Sequence, residues 1–154
     1  MREKTNGIAE KDCPFCKMVK HELHAVVVQE DNDILAIMDL YPATPGHTLV
    51  FPKQHVENIY LMSADLGARI MVTAIAIAKS IKQQLSPGGL NLIQSNELIA
   101  GQTIPHFHLH IVPRYKDDMV YLKFGHEHIP AKMVELEQIG SRIRPGLTKL
   151  PRWL

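Results

Sequence analysis

The sequence predicts an α+β fold with a five-stranded antiparallel sheet, one long helix, and short helices near the N and C termini. Short runs of apolar and β-branched residues lie between turn residues, and only one segment has a long helical repeat. The connections between the predicted strands are mostly short. This favours an antiparallel sheet with a helix packed on it over regularly alternating strands and helices.

The first part of the chain is predicted to contain a short helix, a hairpin and a third strand. Phe15, Met18 and Val19 recur at helical spacing. The sequence Asp-Asn-Asp at 31–33 has turn chemistry and separates two β-rich runs. The predicted elements are a mobile terminus over 1–11, a helix over 13–22, strands over 25–30, 34–40 and 47–52, and a helical turn over 56–60.

A long amphipathic helix is predicted to follow Ser63, a good N-cap residue, and to end before Pro87. Apolar residues recur at steps of three and four and define a core-facing stripe. The residues of this stripe are Leu66, Ile70, Ala74, Ile77, Ile81 and Leu85. Val72 and Ile75 lie outside it. We expect them to widen the core face, with a contact in a dimer as the alternative.

The most informative segment follows a predicted fourth strand over 90–94 and a loop over 95–102. Histidine occupies positions 106, 108 and 110, and apolar residues occupy the positions between them. This period of two predicts a fifth strand with one apolar face and one face of imidazoles. Pro113 is expected to end that strand because it has no N–H for the ladder. A further amphipathic helix is predicted over 131–142.

The three alternating histidines are too far apart for all of them to bind one metal ion easily. Alternate residues of a strand lie about 6.6 Å apart, so His106 and His110 start about 13 Å apart. Zinc holds its nitrogen ligands at about 2.0–2.1 Å. At least one histidine therefore remains for another task. A solvated polar face is the alternative, but strict alternation after a Gly-Gln-Thr turn favours a functional site.

Composition limits the classes of function. The 154 residues are enough for one domain with a real core, and the formal net charge is +1. A balance so close to zero gives no global field for nucleic acid or a membrane surface, so we expect neither as a partner. Arg69, Lys79 and Lys82 interrupt the longest apolar helix, so no membrane span is expected.

Cys13 and Cys16 form a Cys-x-x-Cys pair and are the only two cysteines of the chain. The first twelve residues are polar and show no signal peptide, so we expect a cytoplasmic protein without a disulfide framework. The pair is half of a zinc site. The alternatives are two buried small apolar groups or a redox dithiol, although the βαβ context of thioredoxin-like dithiols is absent.

The segment Ala-Gly-Gln-Thr at 100–103, followed by His-apolar-His-apolar-His-apolar-apolar, resembles the histidine triad (HIT) superfamily, in particular its prokaryotic-type members with a cysteine pair. The resemblance runs from near Cys13 to about Tyr115. It implies a HIT domain over 12–115 with a C-terminal extension over 116–154 packed on it. It also implies a nucleotide-binding fold, usually homodimeric, in which a histidine nitrogen attacks the α-phosphorus of a nucleotide.

The same resemblance implies a structural zinc ion. Family members with this cysteine pair hold zinc with both cysteines, a histidine after the third strand, and the first histidine of the triad. The corresponding residues here are Cys13, Cys16, His55 and His106. A closed set of two sulfur and two nitrogen ligands leaves no open position for water, which is typical of structural zinc.

If His106 binds metal, His108 is the free central imidazole and, by family position, the nucleophile. His110 is expected to donate to a phosphate oxygen. Gln102 and Thr103 are expected to cradle phosphate or meet the leaving group, with a plain turn as the alternative. The resemblance assigns the ribose to Asp39, with His47 supporting the site from behind. It assigns the base to Phe15, Met18, Ile37 and Leu40, each of which could equally be core, and a sugar or phosphate contact to Gln94 or Asn96.

These assignments predict a hydrolase that releases a nucleoside monophosphate from purine nucleoside phosphoramidates or dinucleoside polyphosphates through a nucleotidyl-histidine intermediate. One alternative is a nucleotidyltransferase or phosphorylase in which phosphate or a sugar phosphate replaces water. Another is a non-enzymatic nucleotide-binding protein. Trp153 either reaches the active site of a dimer partner, as a C-terminal aromatic does in some relatives, or belongs to a frayed tail.

Overall fold

The computed structural model describes residues 10–122 and 132–143, and the structural statements below refer to these residues. The chain divides into two compact units, Met1–Val120 and Tyr121–Leu154. The second unit contains helix α3, Met133–Ile143, close to the helix predicted over 131–142. Most of the predicted mobile terminus and Trp153 lie outside the described residues, and the packing of the C-terminal extension on the domain stays a prediction.

The first unit is built on a five-stranded sheet in the order β1-β2-β3-β5-β4. Every neighbouring pair is antiparallel. The strands are β1 Val27–Glu30, β2 Ile34–Met38, β3 Thr48–Pro52, β4 Gly89–Ile93 and β5 Leu109–Arg114. The predicted α+β class with an antiparallel sheet and one long helix is confirmed. The segment with the alternating histidines leads into β5, which lies between β3 and β4.

Both faces of the central strands are covered. Successive side chains of a strand point to opposite faces, so neighbouring residues of β2 and β3 enter different clusters. Ile34, Ala36 and Val50 pack with the long helix α2, Ala64–Leu85. On the opposite face Leu35, Ile37, Leu49 and Phe51 pack with the short helix α1, Pro14–Val19, and with both cysteines. The segment that leads into β5 follows the same division, because Phe107, Leu109 and Ile111 belong to the α2 cluster.

Helix α2 begins and ends where the sequence indicates. The Ser63 hydroxyl accepts a hydrogen bond from the Leu66 N–H at 3.3 Å, which confirms the N-cap. The helix ends at Leu85, and Ser86 has the left-handed φ of 48°. The wider core face was a wrong expectation, because Val72 and Ile75 are 68% and 47% exposed. A helix on a sheet contacts it along one stripe, and these two residues lie off that stripe.

No helix in the described ranges is both long enough and apolar enough to cross a membrane. Helix α1 is shorter than predicted and ends at Val19, after which His21 takes a positive φ of 57°. The helical turn predicted over 56–60 is a 3₁₀ helix at Ile59–Leu61. Strand β2 ends at Met38 rather than at residue 40.

Strand β5 differs from the prediction at both ends. It begins at Leu109, because the Phe107 N–H donates to the Val56 carbonyl and not to a neighbouring strand. It also continues through Pro113, which pairs with Leu90 of β4. The Pro113 carbonyl accepts a hydrogen bond from the Thr44 hydroxyl, on the side where the ladder with β3 has already ended. The missing N–H of the proline would point to that same side, so it costs no ladder bond.

Gly46 lies where the loop between β2 and β3 comes close to the end of α2 and to β5. Its φ is +91°, in the region that L side chains rarely adopt. A Cβ at this position would lie 2.6 Å from Leu85 Cδ1 and 3.2 Å from Pro113 Cγ. Glycine is therefore required both by the backbone conformation and by the neighbouring side chains.

We expect Gly46→Ala to lower the free energy of unfolding by about 1–3 kcal/mol, since it forces a side chain into a left-handed conformation. Gly67→Ala is the matched control. Gly67 lies inside α2, and a Cβ there meets only Met62 Cγ at 3.6 Å. This control should gain roughly 0.5–1 kcal/mol. Chemical denaturation measures both, and equal effects of the two variants would contradict the assignment.

Candidate active site and metal centre

The imidazole of His106 is completely buried between two elements that are far apart in the chain. Its Nε2 lies 2.8 Å from the Pro52 carbonyl at the end of β3. A carbonyl only accepts, so Nε2 carries the proton and Nδ1 carries a lone pair. Nδ1 faces the α1 end of the site, 3.4 Å from the Cys13 sulfur and 3.6 Å from the Cys16 sulfur.

Four potential ligands meet at this point. The ligand atoms of Cys13, Cys16, His55 and His106 all lie within 4.8 Å of one another, and His55 Nδ1 lies 3.2 Å from the Cys16 sulfur. Ideal tetrahedral zinc, with sulfur at about 2.3 Å and nitrogen at about 2.05 Å, separates these ligand atoms by about 3.5 Å. The structure thus brings together all four residues predicted from the sequence, at a spacing that fits a metal ion.

The hydrogen bonds of His106 also fit a metal, whereas the Cys16 thiol would have to lose its proton on binding one. Burial, followed by the neighbouring Cys13 thiol, raises the pKa of the Cys16 thiol to about 12. Burial lowers the pKa of His106 to about 4, against the opposing effect of the Pro52 carbonyl. The imidazole is therefore neutral near pH 7, and its other ring N–H already has an acceptor, as metal-bound histidines usually have.

The two ring nitrogens of His108 differ in their partners among the described residues. Its Nδ1 lies 2.7 Å from the His106 carbonyl, so Nδ1 carries the proton and Nε2 carries a lone pair. No group in the described part of the chain is hydrogen-bonded to Nε2. Burial lowers the pKa of His108, although the His106 carbonyl and Asp39 act in the opposite direction. A neutral imidazole with a free lone pair is a nucleophile near neutral pH.

His110 belongs to a second cluster on the same face. Its Nδ1 lies 2.9 Å from Nε2 of His47, and the Ala43 N–H donates to Nδ1 of His47 at 3.0 Å. The Asp39 carboxylate lies 3.4 Å from His47 Nε2 and 4.0 Å from His110 Nδ1. Burial, followed by the neighbouring His108 and His47, lowers the pKa of His110 to about 4. Asp39 opposes this shift but does not reverse it.

The rings of His108 and His110 border a cavity of about 600 Å³, large enough for a nucleotide-sized ligand. Eight of the residues singled out from the sequence line it: Phe15, Met18, Ile37, Asp39, Leu40, Thr103, His108 and His110. Phe15 and Ile37 are buried and form the apolar floor, whereas Leu40 is 78% exposed. Leu40 is thus a rim residue and not part of the core.

A larger cavity of about 740 Å³ lies beside α2, between the helix and residues of the β1–β3 region. Its lining residues are apolar or neutral polar, with no acid, base or histidine among them. Chemistry on a nucleotide needs a nucleophile and proton donors. Of these two cavities, the smaller one supplies them.

Three predicted site residues lie away from the nucleotide-sized cavity. The Gln102 side chain bridges two backbone groups, donating to the Glu57 carbonyl at 2.6 Å and accepting from the Glu97 N–H at 2.7 Å. Gln94 and Asn96 hydrogen-bond to each other, and Asn96 accepts from the Ile59 N–H. None of the three lines the cavity. A direct contact of these residues with substrate stays a prediction that this geometry does not support.

Sequence reasoning missed other residues that the cavity includes. His24 and Tyr41 line it, and Tyr41 is 85% exposed at the rim. Tyr41 could have been identified from its position in the sequence, because it lies two residues after Asp39 and begins the proline loop. His24 gave no comparable signal, because it is an isolated histidine before a strand.

We expect Gln102→Ala to reduce stability and not to remove a catalytic group. It leaves the Glu57 carbonyl and the Glu97 N–H without their partner, which costs about 1–3 kcal/mol. Gln102→Glu keeps an acceptor for the Glu97 N–H but sets a buried carboxylate oxygen against the Glu57 carbonyl, so it should not recover the loss. Thermal or chemical unfolding tests this. Unchanged stability together with a large loss of activity would instead place Gln102 in direct contact with substrate.

Comparisons with known proteins agree with this geometry. The HIT domain model matches residues 20–117. The Bacillus subtilis protein Hit is 39% identical over 105 residues, which are 68% of this chain and 72% of the relative. The adenosine 5′-monophosphoramidase hnt1 of Schizosaccharomyces pombe is 31% identical over 131 residues, or 85% of this chain and 95% of the relative.

Among solved structures, a HIT family protein from Bacillus anthracis superimposes with a TM-score of 0.84 at 34% identity, covering 89% of this chain and 98% of that one. The family match over residues 20–117 includes the sheet, the long helix and the segment with the alternating histidines, because it ends after β5. The chain belongs to the histidine triad family.

Proposed function

We propose that this protein is a hydrolase that splits purine nucleoside phosphoramidates or dinucleoside polyphosphates at the α-phosphorus and releases a nucleoside monophosphate. The observation that carries the proposal is His108. It lines the nucleotide-sized cavity, its Nδ1–H is held by the His106 carbonyl, and its Nε2 lone pair is free of described protein partners. The similarity to a monophosphoramidase over 85% of the chain supports the choice of substrate class.

The reaction would proceed in two displacements at phosphorus. First, the Nε2 lone pair of His108 forms a bond to the α-phosphorus, and the bond from phosphorus to the amine or phosphate leaving group breaks. The leaving group keeps the bonding electron pair and takes a proton from solvent as it departs. Positive charge then develops on the imidazole, and the Nδ1–H bond to the His106 carbonyl at 2.7 Å stabilises it. Second, water attacks the same phosphorus and gives a proton to solvent, and the bond to Nε2 breaks with its electron pair returning to the imidazole.

The remaining cavity residues have roles in binding. Asp39 accepts hydrogen bonds from the ribose hydroxyls, and Phe15, Met18, Ile37 and Leu40 enclose the base. His110 donates to a phosphate oxygen, and Thr103 meets the phosphate or the leaving group. Phe15 supports this arrangement because its ring stacks on Phe51 at 4.4 Å and lies 5.1 Å from the His108 ring. The ring of Phe15 therefore borders both the proposed base site and the proposed nucleophile.

We also propose that the cluster of Cys13, Cys16, His55 and His106 holds a structural zinc ion. When bound, zinc supplies a cross-link between elements and no open coordination position. The residues of the chain then fix α1, the end of β3 and the His106 backbone to one another. Because the His106 carbonyl accepts the His108 Nδ1–H, this cross-link helps to orient the proposed nucleophile.

We propose a homodimer formed through α2 and the edge strand β4. Strand β4 is the last strand of the sheet, and its Leu92 is 42% exposed. Ile75 on α2 borders the same edge, since it shares a small cavity with Leu90. Exposed apolar side chains beside an edge strand, which has no further strand beyond it in the described ranges, suit a contact with a second copy. The cytoplasmic location stays a prediction from the sequence.

Replacement of the nucleophile is the main test. We expect His108→Ala to lower kcat for an adenosine phosphoramidate by at least about 10³-fold, because removing a covalent nucleophile costs that much or more. Binding of AMP should change little, and an exposed histidine away from this cavity, replaced as His21→Ala, serves as control. Turnover of His108→Ala near the wild-type rate would refute the proposed mechanism. Comparing products with and without added phosphate separates hydrolysis from phosphorolysis.

The metal proposal has its own measurement. Elemental analysis of protein prepared with zinc should give one zinc per chain. Cys16→Ser should lose most of it, because a hydroxyl is a poor substitute for a thiolate ligand. His110→Ala is the matched control, since it removes a triad histidine that lies outside the cysteine cluster, and it should keep the metal. Zinc-free, well-folded wild-type protein would rule the site out.

A further inference from the structure

We propose that His24 is a specificity-determining residue that hydrogen-bonds to the far edge of the base and thereby selects purine nucleotides over pyrimidine nucleotides. The inference rests on the proposed function for one point, the orientation of the nucleotide, with the ribose at Asp39 and the α-phosphorus at His108. Three observations carry it: the place of His24 in the cavity lining, the backbone contacts on either side of it, and the state of its ring.

The reactive groups of the nucleotide-sized cavity lie together at one end. The ring centroids of His108 and His110 are 4.9 Å apart, and the Asp39 carboxylate lies 4.0 Å from His110 Nδ1. His24 lines the same cavity but has no hydrogen bond, ion pair or ring contact with these side chains. A nucleotide whose phosphate and ribose occupy the reactive end must therefore place its base against another part of the lining.

His24 belongs to the part of the lining that surrounds the proposed base site. Met18 and Leu23 line the cavity beside it, and their apolar side chains suit the flat faces of a base. They offer no hydrogen bond to the polar edge of the base. Of the described residues that line the cavity away from its phosphate and ribose end, His24 and Tyr41 are the two with hydrogen-bonding side chains.

Backbone hydrogen bonds on both sides fix the place of His24. The Leu23 N–H donates to the Lys17 carbonyl at 3.2 Å, which folds the residues after α1 back onto that helix. On the other side, the Val26 carbonyl accepts the Met38 N–H at 2.9 Å and joins this segment to the sheet. A residue between two such anchors has a defined position at the cavity wall.

The direction of the strands brings His24 close to a proposed base contact. Strands β1 and β2 are antiparallel, with Val27 opposite Ile37. The residues before β1 therefore run back along the residues after β2, and His24 comes alongside Leu40. Both residues line the cavity. Because Leu40 is proposed to enclose the base, His24 lies at the edge of the same base site.

The wall that contains His24 separates the nucleotide-sized cavity from a second cavity of about 370 Å³. Polar side chains line this second cavity, among them His21, Glu22 and Glu30. The residues that border both cavities are Met18, Leu23, His24 and Ala25. The far edge of a bound base thus meets His24 with polar space behind it and not a sealed apolar core, which suits the polar groups of that edge.

The ring of His24 is available for a ligand. The residue is exposed, and its ring has no hydrogen bond or ion pair within the described ranges. A neutral imidazole offers one donor and one acceptor, and either nitrogen can carry the proton. The far edge of adenine presents N1 and the N6 amino group, and that of guanine presents O6 and N1–H. One imidazole can therefore pair with either purine.

A pyrimidine is expected to miss this hydrogen bond. It has one ring fewer than a purine, so its polar edge stops short of His24 while its ribose stays at Asp39. The apolar contacts and the phosphate site remain the same for both classes of base. His24 thus adds to the binding of purine nucleotides alone.

Binding of nucleoside monophosphates, measured by titration calorimetry, tests the proposal without turnover. His24→Leu removes both ring nitrogens and keeps an apolar side chain, whereas His24→Gln keeps a donor and an acceptor. Loss of one hydrogen bond weakens binding about 2- to 12-fold. We expect this loss for AMP and GMP in His24→Leu, with CMP binding changed by less than about twofold. His24→Gln should recover most of the affinity for both purines.

Two further variants serve as comparisons. His21 lies three residues earlier and lines the second cavity but not the nucleotide-sized one, and asparagine tolerates its positive φ of 57°. His21→Asn and Tyr41→Phe should both keep the purine preference of the wild type. Loss of that preference in Tyr41→Phe, with none in His24→Leu, would assign the role to Tyr41 and overturn the proposal.

Three other results would also overturn it. The first is a wild type that binds CMP as tightly as AMP. The second is wild-type affinity of His24→Leu for all three nucleotides. The third is an equal weakening of all three in His24→Leu, which is the result of a purely structural role.

Kinetics separate this proposal from the proposed function. The ratio of kcat/KM for adenosine over cytidine phosphoramidate should fall about 2- to 12-fold in His24→Leu, mainly through KM. If the wild type prefers purine monophosphates but hydrolyses no phosphoramidate, the proposed function fails while the role of His24 stands. If His24→Leu hydrolyses both substrates with wild-type selectivity, the role of His24 fails while the proposed function stands.

Discussion

The buried imidazole of His106 is the constraint on which the rest of the site depends. One ring nitrogen donates to the Pro52 carbonyl of β3, and the other faces the sulfur atoms of Cys13 and Cys16. Its backbone carbonyl accepts the proton of His108. A single residue thus joins α1, the sheet and His108. Because a buried polar ring must have partners for both nitrogens, any movement of one element costs hydrogen bonds in the others.

Side chains along the segment that leads into β5 alternate between the core under α2 and the face that carries the histidines. Phe107, Leu109 and Ile111 enter the core under α2, and this packing leaves the histidines on the opposite face with α1. Each histidine there has a different partner for its ring. His106 meets a carbonyl and thiols, His108 meets a carbonyl, and His110 meets another imidazole. Identical side chains at alternate positions therefore differ in their partners, and His106 and His108 carry opposite tautomers.

Local patterns in the sequence were sufficient for the sheet and the capped long helix. The set of two cysteines and two histidines at the candidate metal site came from the family resemblance, because the Cys-x-x-Cys pair alone did not identify its partners. The histidine spacing and the family resemblance together also placed His108 and Asp39 at one cavity. What failed depends on contacts between residues far apart in the chain. Pro113 lies inside β5 because the β3 ladder ends before it, and Val72 is exposed because α2 meets the sheet along one stripe. The bridge made by Gln102 to the Glu57 carbonyl and Glu97 N–H has no sequence signal either.

We propose that His108 attacks phosphorus through Nε2 because its Nδ1–H donates to the His106 carbonyl. The most direct measurement is to trap the covalent intermediate by rapid acid-free quenching during turnover of a slow phosphoramidate substrate. Tandem mass spectrometry then identifies the modified residue, and nitrogen-15 to phosphorus-31 coupling identifies the modified atom. The account predicts a nucleotidyl group on Nε2 of His108. A nucleotidyl group on Nδ1, or on His110, would contradict it.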